Sequence, residues 1–162
     1  SHTFQVDATY PLFEGFELTA AYRLNDVRAT YDRLRRKPLT SRYKALFTAS
    51  YKTPLGLWQA DATFQLNGSG RMPTPDTRPD GSPSWNATFP AYGWLSAQLT
   101  RWFRHCSLYV GGENLTNYRQ RQTIIDAATP WGATFDPTMV WGPVHGAVAY
   151  IGIRVNLGGR QE

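Results

Sequence analysis

The sequence predicts an all-β chain, an antiparallel sheet of about seven strands of the kind that walls a transmembrane β-barrel. Three observations predict it. Apolar and polar residues alternate along successive segments of about ten residues, giving each segment one apolar and one polar face. The connections alternate between tight turns and long loops. Aromatic residues of the apolar face gather beside the tight turns, where the interfacial girdle of a membrane barrel lies.

The elements follow in order. In the first segment Phe4, Val6, Ala8, Tyr10 and Leu12 oppose Gln5, Asp7 and Thr9, and Glu14-Gly15 turns the chain. The second sets Phe16, Leu18, Ala20, Tyr22 and Leu24 against Glu17, Thr19, Arg23 and Asn25, and is expected to continue to about Tyr31. A basic loop, residues 32–40, follows. The third alternates Ala45, Phe47, Ala49 and Tyr51 with Lys44, Thr48, Ser50 and Lys52, Leu46 being its exception, and turns at Thr53-Pro-Leu-Gly56. The fourth is the most regular: Trp58, Ala60, Ala62, Phe64 and Leu66 against Gln59, Asp61, Thr63, Gln65 and Asn67. A loop rich in Pro, Gly and Ser spans residues 68–90 and shows no periodicity. The fifth segment sets Leu95, Ala97, Leu99 and Phe103 against Ser96, Gln98, Thr100 and Trp102. A tight turn at Arg104-His-Cys106 leads to the sixth, from Ser107 to about Leu115. After a second long loop, residues 116–146, the seventh runs from Ala147 to Leu157. In it Ala149, Ile151, Ile153, Val155 and Leu157 share one face. The girdle beside the tight turns is Tyr10, Phe16, Tyr51, Trp58 and Phe103.

Composition narrows the class. Charged residues are 18% and aromatics 14% of the chain, against about 25% charged in an average soluble domain. No apolar run approaches the ~18 residues of a spanning helix, a test that a β-barrel escapes because only alternate residues need be apolar. Alternation alone does not tell inside from outside, and a soluble β-sandwich or lipocalin-like barrel has the same pattern with its apolar face inward. Two features favour the membrane barrel. The polar face carries Gln, Asn, Asp, Thr and Arg but few of the Lys and Glu of a water-exposed sheet. Loops of roughly 20–30 residues are also uncommon in compact soluble domains. The chain opens within a strand and shows no signal peptide, so a membrane barrel would be a mature or excised piece.

Several chemistries find no pattern. The net charge of +5 is spread over loops and strand faces apart from one cluster, so no nucleic-acid partner is expected. Cys106 is the single cysteine and has no internal disulfide partner. His2, His105 and His145 are scattered without metal-ligand spacing. No Ser/His/Asp order, phosphate-cradling loop or carboxylate pair stands out, so neither catalysis nor a cofactor is expected. Asn67, Asn86 and Asn114 begin N-x-Ser/Thr triplets, which are chance matches in a bacterial barrel.

The segments Gly112-Glu-Asn-Leu-Thr-Asn117 and Phe135-Asp-Pro-Thr-Met-Val-Trp-Gly-Pro-Val-His-Gly146, with Pro38-Leu-Thr-Ser-Arg-Tyr-Lys44 and Asn67-Gly-Ser-Gly-Arg-Met-Pro73 upstream, resemble the C-terminal end of TonB-dependent outer-membrane receptors of the Bacteroidota type. Each motif is weak alone; their order and their placement at strand ends carry the resemblance. It implies that residues 1–157 are the C-terminal part of a barrel of about 22 strands, with a polar tail at 158–162. It also implies the remaining partners: an N-terminal plug and further barrel strands, the TonB complex reached through that N-terminal part, outer-membrane lipid and lipopolysaccharide, and a surface lipoprotein. The implied activity is energy-driven import of a scarce nutrient. A ferric siderophore is favoured over haem, cobalamin or oligosaccharide. One departure stands out: such barrels commonly end on an aromatic residue, whereas here the strand ends at Leu157. A small self-contained outer-membrane barrel and a soluble β-sandwich binding module are the alternatives.

Two sets of candidate residues follow. Arg33, Arg35, Arg36 and Lys37 form the dense charge cluster of the chain, suited to an anionic ligand or to lipopolysaccharide phosphates. Trp85, Tyr118 and Trp131 lie in the long loops with Phe89, Phe135 and Trp141, and would stack on a ligand or pack loop against barrel. The second set is Arg23, Asp61, Gln65, Asn67, Gln98, Glu113 and Arg154 on the polar face, where a plug would sit.

Overall fold

The computed structural model describes residues 1–30, 34–73, 76–77, 83–84, 87–133 and 135–155. Seven strands form one sheet: β1 (His2–Phe13), β2 (Phe16–Asp26), β3 (Tyr43–Lys52), β4 (Trp58–Asn67), β5 (Tyr92–Trp102), β6 (Cys106–Glu113) and β7 (Val148–Val155). Their order in the sheet is their order in the chain, and every pairing is antiparallel. No helix occurs among the described residues. The sheet is open: β1 and β7 are its edges and do not pair with each other.

Register sorts the side chains. Ala8, Ala20, Phe47, Phe64 and Leu95 lie in one row across five strands, and Tyr51, Ala60, Leu99, Val110 and Ile151 in another. Between the apolar rows, on the opposite face, Thr9, Thr19, Thr48, Thr63 and Ser96 form a polar row. Hydrogen bonds run along that face. Thr9 meets Thr19 at 3.0 Å and Thr48 meets Thr63 at 3.2 Å. Ser50 donates to Asp61 at 2.6 Å, and Tyr150 donates to Gln98 at 3.0 Å.

The apolar face is uncovered. Among the described residues the buried apolar side chains are Ala45, Phe89 and Met139. Ile151 is 74% exposed, Phe4 60% and Phe47 54%. The accessible surface is 11814 Å², against about 8,100 Å² for a compact chain of this mass. Among the described residues there is therefore no core between two layers of the kind a soluble sandwich requires.

Aromatic clusters mark both margins of that face. Beside the tight turns Phe13 stacks on Phe16 with centroids 5.0 Å apart, and Tyr51 lies 6.0 Å from Phe13. A bulge between Pro11 and Phe13 brings Phe13 opposite Phe16. Arg101 stands on the apolar face, its guanidinium 4.9 Å from the Trp58 ring and 5.1 Å from Phe103. Near the long loops Tyr22 stacks on Tyr43 at 6.2 Å.

Several expected boundaries shift. The second strand stops at Asp26, and Arg28–Thr30 instead pairs with Leu34–Arg36 as a separate ribbon, so the basic segment is partly strand. Residues 68–90 contain paired segments despite their lack of periodicity: Gly70–Arg71 with Thr88–Phe89, and Asp76–Thr77 with Pro83–Ser84. Pairs of two or three residues are too short to leave a repeat. Strand β6 ends at Glu113, although Leu115 N–H still donates to Leu95 O at 2.7 Å. Strand β7 is described from Val148 to Val155, so Leu157 and the tail lie outside the described residues.

Strands β6 and β7 interlock through two reciprocal contacts. Tyr109 pairs with Gly152 and Tyr150 with Gly111, each ring lying across the glycine opposite. A Cβ on Gly152 would overlap the Tyr109 ring. Gly152→Ala is therefore expected to cost about 1–3 kcal/mol, read as a lower urea midpoint in detergent micelles. Tyr109→Ala in the same background should recover part of that loss.

Candidate functional site

The most ordered polar structure outside the strands is the junction between β6 and the loop that follows. Asn114 is 2% exposed and adopts φ 50°, a left-handed conformation that asparagine tolerates. Its amide ties the loop's two ends together: Nδ2 donates to Tyr118 O at 2.8 Å and to His145 O at 3.1 Å. Its Oδ1 accepts from Tyr118 N–H and from the Thr116 hydroxyl, both at 3.1 Å. Asn117 repeats the device, its Oδ1 accepting from Ala147 N–H at 3.2 Å. The Glu-Asn-Leu-Thr-Asn segment is thus a clasp that closes the loop at its base.

A third amide shapes the middle of the loop. Gln120 is 5% exposed. Its Oε1 accepts from Trp141 N–H at 2.9 Å and Gly142 N–H at 3.1 Å, while Nε2 donates to Gln122 O and Met139 O. Buried backbone groups that secondary structure does not satisfy are satisfied here by one side chain. Residues 139–146 consequently fold back over the polar face of β3–β5.

An aromatic cluster fastens this cover. Trp141 stacks on Phe89 at 5.3 Å, Tyr92 stacks on Tyr118 at 5.1 Å, and the Tyr92 hydroxyl donates to Trp141 O at 3.2 Å. Burial pushes the Tyr118 phenol above its ordinary pKa. Beneath the cover lies a cleft of about 390 Å³ lined by Lys44, Gln65, Asn67, Trp94, Trp141 and His145. Its floor is wired by hydrogen bonds: Trp94 Nε1 donates to Gln65 Oε1 at 3.2 Å and Gln65 Nε2 to Asn67 Oδ1 at 3.1 Å.

The candidate residues on the polar face divide into two kinds. Asp61, Gln65, Asn67 and Gln98 are hydrogen-bonded within the sheet, Gln98 Nε2 donating to Thr100 at 3.1 Å. Arg23, Glu113 and Arg154 are exposed and have no ion-pair partner among the described residues. Glu113 and Arg154 line a second cleft with Ser107, Tyr109 and Tyr150, nearer the tight turns. Trp102 Nε1, on the same face, is buried and finds no acceptor among the described residues.

The loop candidates scatter. Arg36 is drawn to Asp26 at 3.8 Å, and Arg28, its partner in the ribbon, binds Asp26 at 2.9 Å. Arg35 is half-buried and Lys37 exposed. Tyr118 packs the loop, whereas Trp131 is 100% exposed and lines neither cleft. Arg33 and Trp85 lie outside the described residues. Asn67 and Asn114, at 3% and 2% exposure, have hydrogen-bonded amides that suit neither to carry a glycan. Sequence reasoning quoted Asn114 and Asn117 within the Glu-Asn-Leu-Thr-Asn motif without reading their loop-closing role, and it missed Gln120, because side-chain bonds to distant backbone leave no spacing pattern. It also did not assemble Trp94 with Lys44, which line one cleft only once the strands are in register.

Asn114→Ala would leave buried backbone groups at Tyr118 and His145 unbonded. The expected loss is about 2–4 kcal/mol of local stability, seen as faster proteolysis within residues 118–146 while the β-sheet circular dichroism of the chain is unchanged.

Comparison with protein-family models, with curated proteins and with solved structures finds no match.

Proposed function

We propose that this chain is part of the wall of a TonB-dependent outer-membrane transporter, with its apolar face against lipid and its polar face toward the lumen. The observation that carries the reading is the uncovered apolar face, continuous in register across the seven-stranded sheet. Three further features support it. The longer strands, 10 to 12 residues, fit the ~9–11 residues of a tilted transmembrane strand. Tyr43 and Tyr51, at opposite margins of the face, are about 26 Å apart along the strand and about 20 Å apart across it at a ~40° tilt, near the ~25 Å apolar band of outer-membrane barrels. The long exposed edges β1 and β7 present unpaired backbone groups, which lipid does not tolerate and further barrel strands would satisfy.

On this reading the side with the long loops faces outward and the tight turns face the periplasm. The transporter moves a scarce nutrient, an anionic iron chelate being favoured, without making or breaking bonds in it. The basic ribbon around Arg28, Arg35 and Arg36 meets lipopolysaccharide phosphates or draws in the anion. The plug, the remaining strands and the TonB contact belong to other parts of the same protein.

Antibody raised against this sequence tests the proposal in fractionated cells. A band several times heavier than 18.3 kDa in the outer membrane, with loss of energy-dependent chelate uptake on gene deletion, is the expected result. An outer-membrane band at 18.3 kDa would instead mean a small self-contained barrel. Recovery in the soluble fraction would favour a sandwich-type binding module and sink the transporter.

A further inference from the structure

The polar face carries an electrostatic conflict. Arg23 on β2 and Lys44 on β3 are directly opposed in the register. Both are exposed, and neither has an ion-pair partner among the described residues. Like charges placed directly opposite destabilise a sheet. Asp26, the carboxylate that forms ion pairs nearby, is engaged by Arg28 and Arg36. Asp7, diagonal to Arg23 on the same face of β1, forms no ion pair with it, so the pair holds two adjacent unpaired cations on the wall of a hollow.

The conflict sits at the mouth of a built cleft. Arg23, Lys44 and Gln65 share a hollow of about 200 Å³, and Lys44 and Gln65 also line the cleft of about 390 Å³ beneath Trp141. The two hollows meet at Lys44 and Gln65 and together form a trough, its larger part alone within the ~300–1,000 Å³ usual for small-molecule sites. At one end stand two cations. Along the floor are the amides of Gln65 and Asn67. At the other end stands Trp94, anchored through Nε1 by Gln65 and stacked on no other ring among the described residues. No Asp or Glu lines either hollow.

We infer that this trough binds a small molecule in which a carboxylate is attached to a ring, the carboxylate lying between Arg23 and Lys44 and the ring against Trp94 under Trp141. The anion relieves the repulsion between the two cations. The ring face meets an indole whose rotation is already fixed, so little side-chain entropy is lost on binding. Both an acidic sugar and an aryl carboxylate present this chemistry. The inference deepens the transport reading and rests on it for the direction the trough faces, not for the trough itself, which this chain builds alone.

Tryptophan fluorescence tests it on the full-length protein that carries this sequence, extracted into detergent micelles and titrated with digalacturonate, with 2-naphthoate and with the neutral sugar lactose. Saturable change with an acidic ligand and none with lactose is expected. Response to digalacturonate assigns a sugar, and response to 2-naphthoate alone assigns an aryl acid. Arg23→Gln with Lys44→Gln should weaken the acid about tenfold, and Trp94→Phe should remove most of the signal. Parent and variants should share one circular dichroism spectrum, and for any variant that fails this check the single Lys44→Gln change replaces it. No saturable response below about 10 mM, or equal affinity in the charge-deleted variant, overturns the inference. A chain that is monodisperse in water without detergent overturns the membrane reading instead, and the same titration then decides the trough in water.

Discussion

Register is the constraint on which the rest of the molecule depends. Side chains on a strand alternate with a period of two, so a slip of one residue in any pairing would turn a whole apolar set onto the polar face. The ladders from β2 to β7 carry no such slip, and the shift in β1 lies next to the tight turn, beyond the continuous run from His2 to Pro11. Apolar side chains therefore meet apolar ones in most rows, Arg101 between Trp58 and Leu108 being an exception, and Thr9, Thr19, Thr48 and Thr63 share one row. Hydrogen-bonded pairs such as Thr48 with Thr63 and Ser50 with Asp61 reinforce the register from one face. The Tyr–Gly interlock of β6 and β7 reinforces it where the strands are shortest.

The same register assembles the trough. Arg23, Lys44, Asn67 and Tyr92 fall in one row, and Gln65 and Trp94 fall in the next. What lies above that row is decided differently, by the side-chain amides of Asn114, Asn117 and Gln120. They convert a long connection into a fixed roof by supplying the donors and acceptors that the loop backbone lacks. The fold is thus divided between a wall specified by alternation and a cover specified by a few buried polar groups, and the concave site needs both.

This division explains what could be read beforehand. The strands were legible because period-two alternation over about ten residues is a strong signal, and the tight turns and long loops followed from its interruptions. Of the expected girdle Tyr10, Phe16, Tyr51, Trp58 and Phe103, the structure brings Phe16 to Tyr51 and sets Trp58 and Phe103 about Arg101. The ribbons were not, since Arg28–Thr30 and Gly70–Arg71 are too short to show a period. Composition marked Trp131 as readily as Trp141, yet one is fully exposed and the other roofs a cleft; the Gln120 bonds and the stacking on Phe89 separate them. Arg23 and Lys44 were visible as two residues of the polar face, but their direct opposition emerged only with the pairing of β2 and β3.

The central claim is that the apolar face meets lipid and the polar face meets water. Spin labels placed one at a time along β4, from Gln59 to Gln65, in the full-length protein that carries this sequence, reconstituted into lipid bilayers, test it most directly. The account predicts strict alternation: labels at Ala60, Ala62 and Phe64 relaxed by lipid-soluble oxygen, and labels at Gln59, Asp61, Thr63 and Gln65 relaxed by a water-soluble nickel chelate. The reverse alternation, or none, would contradict it.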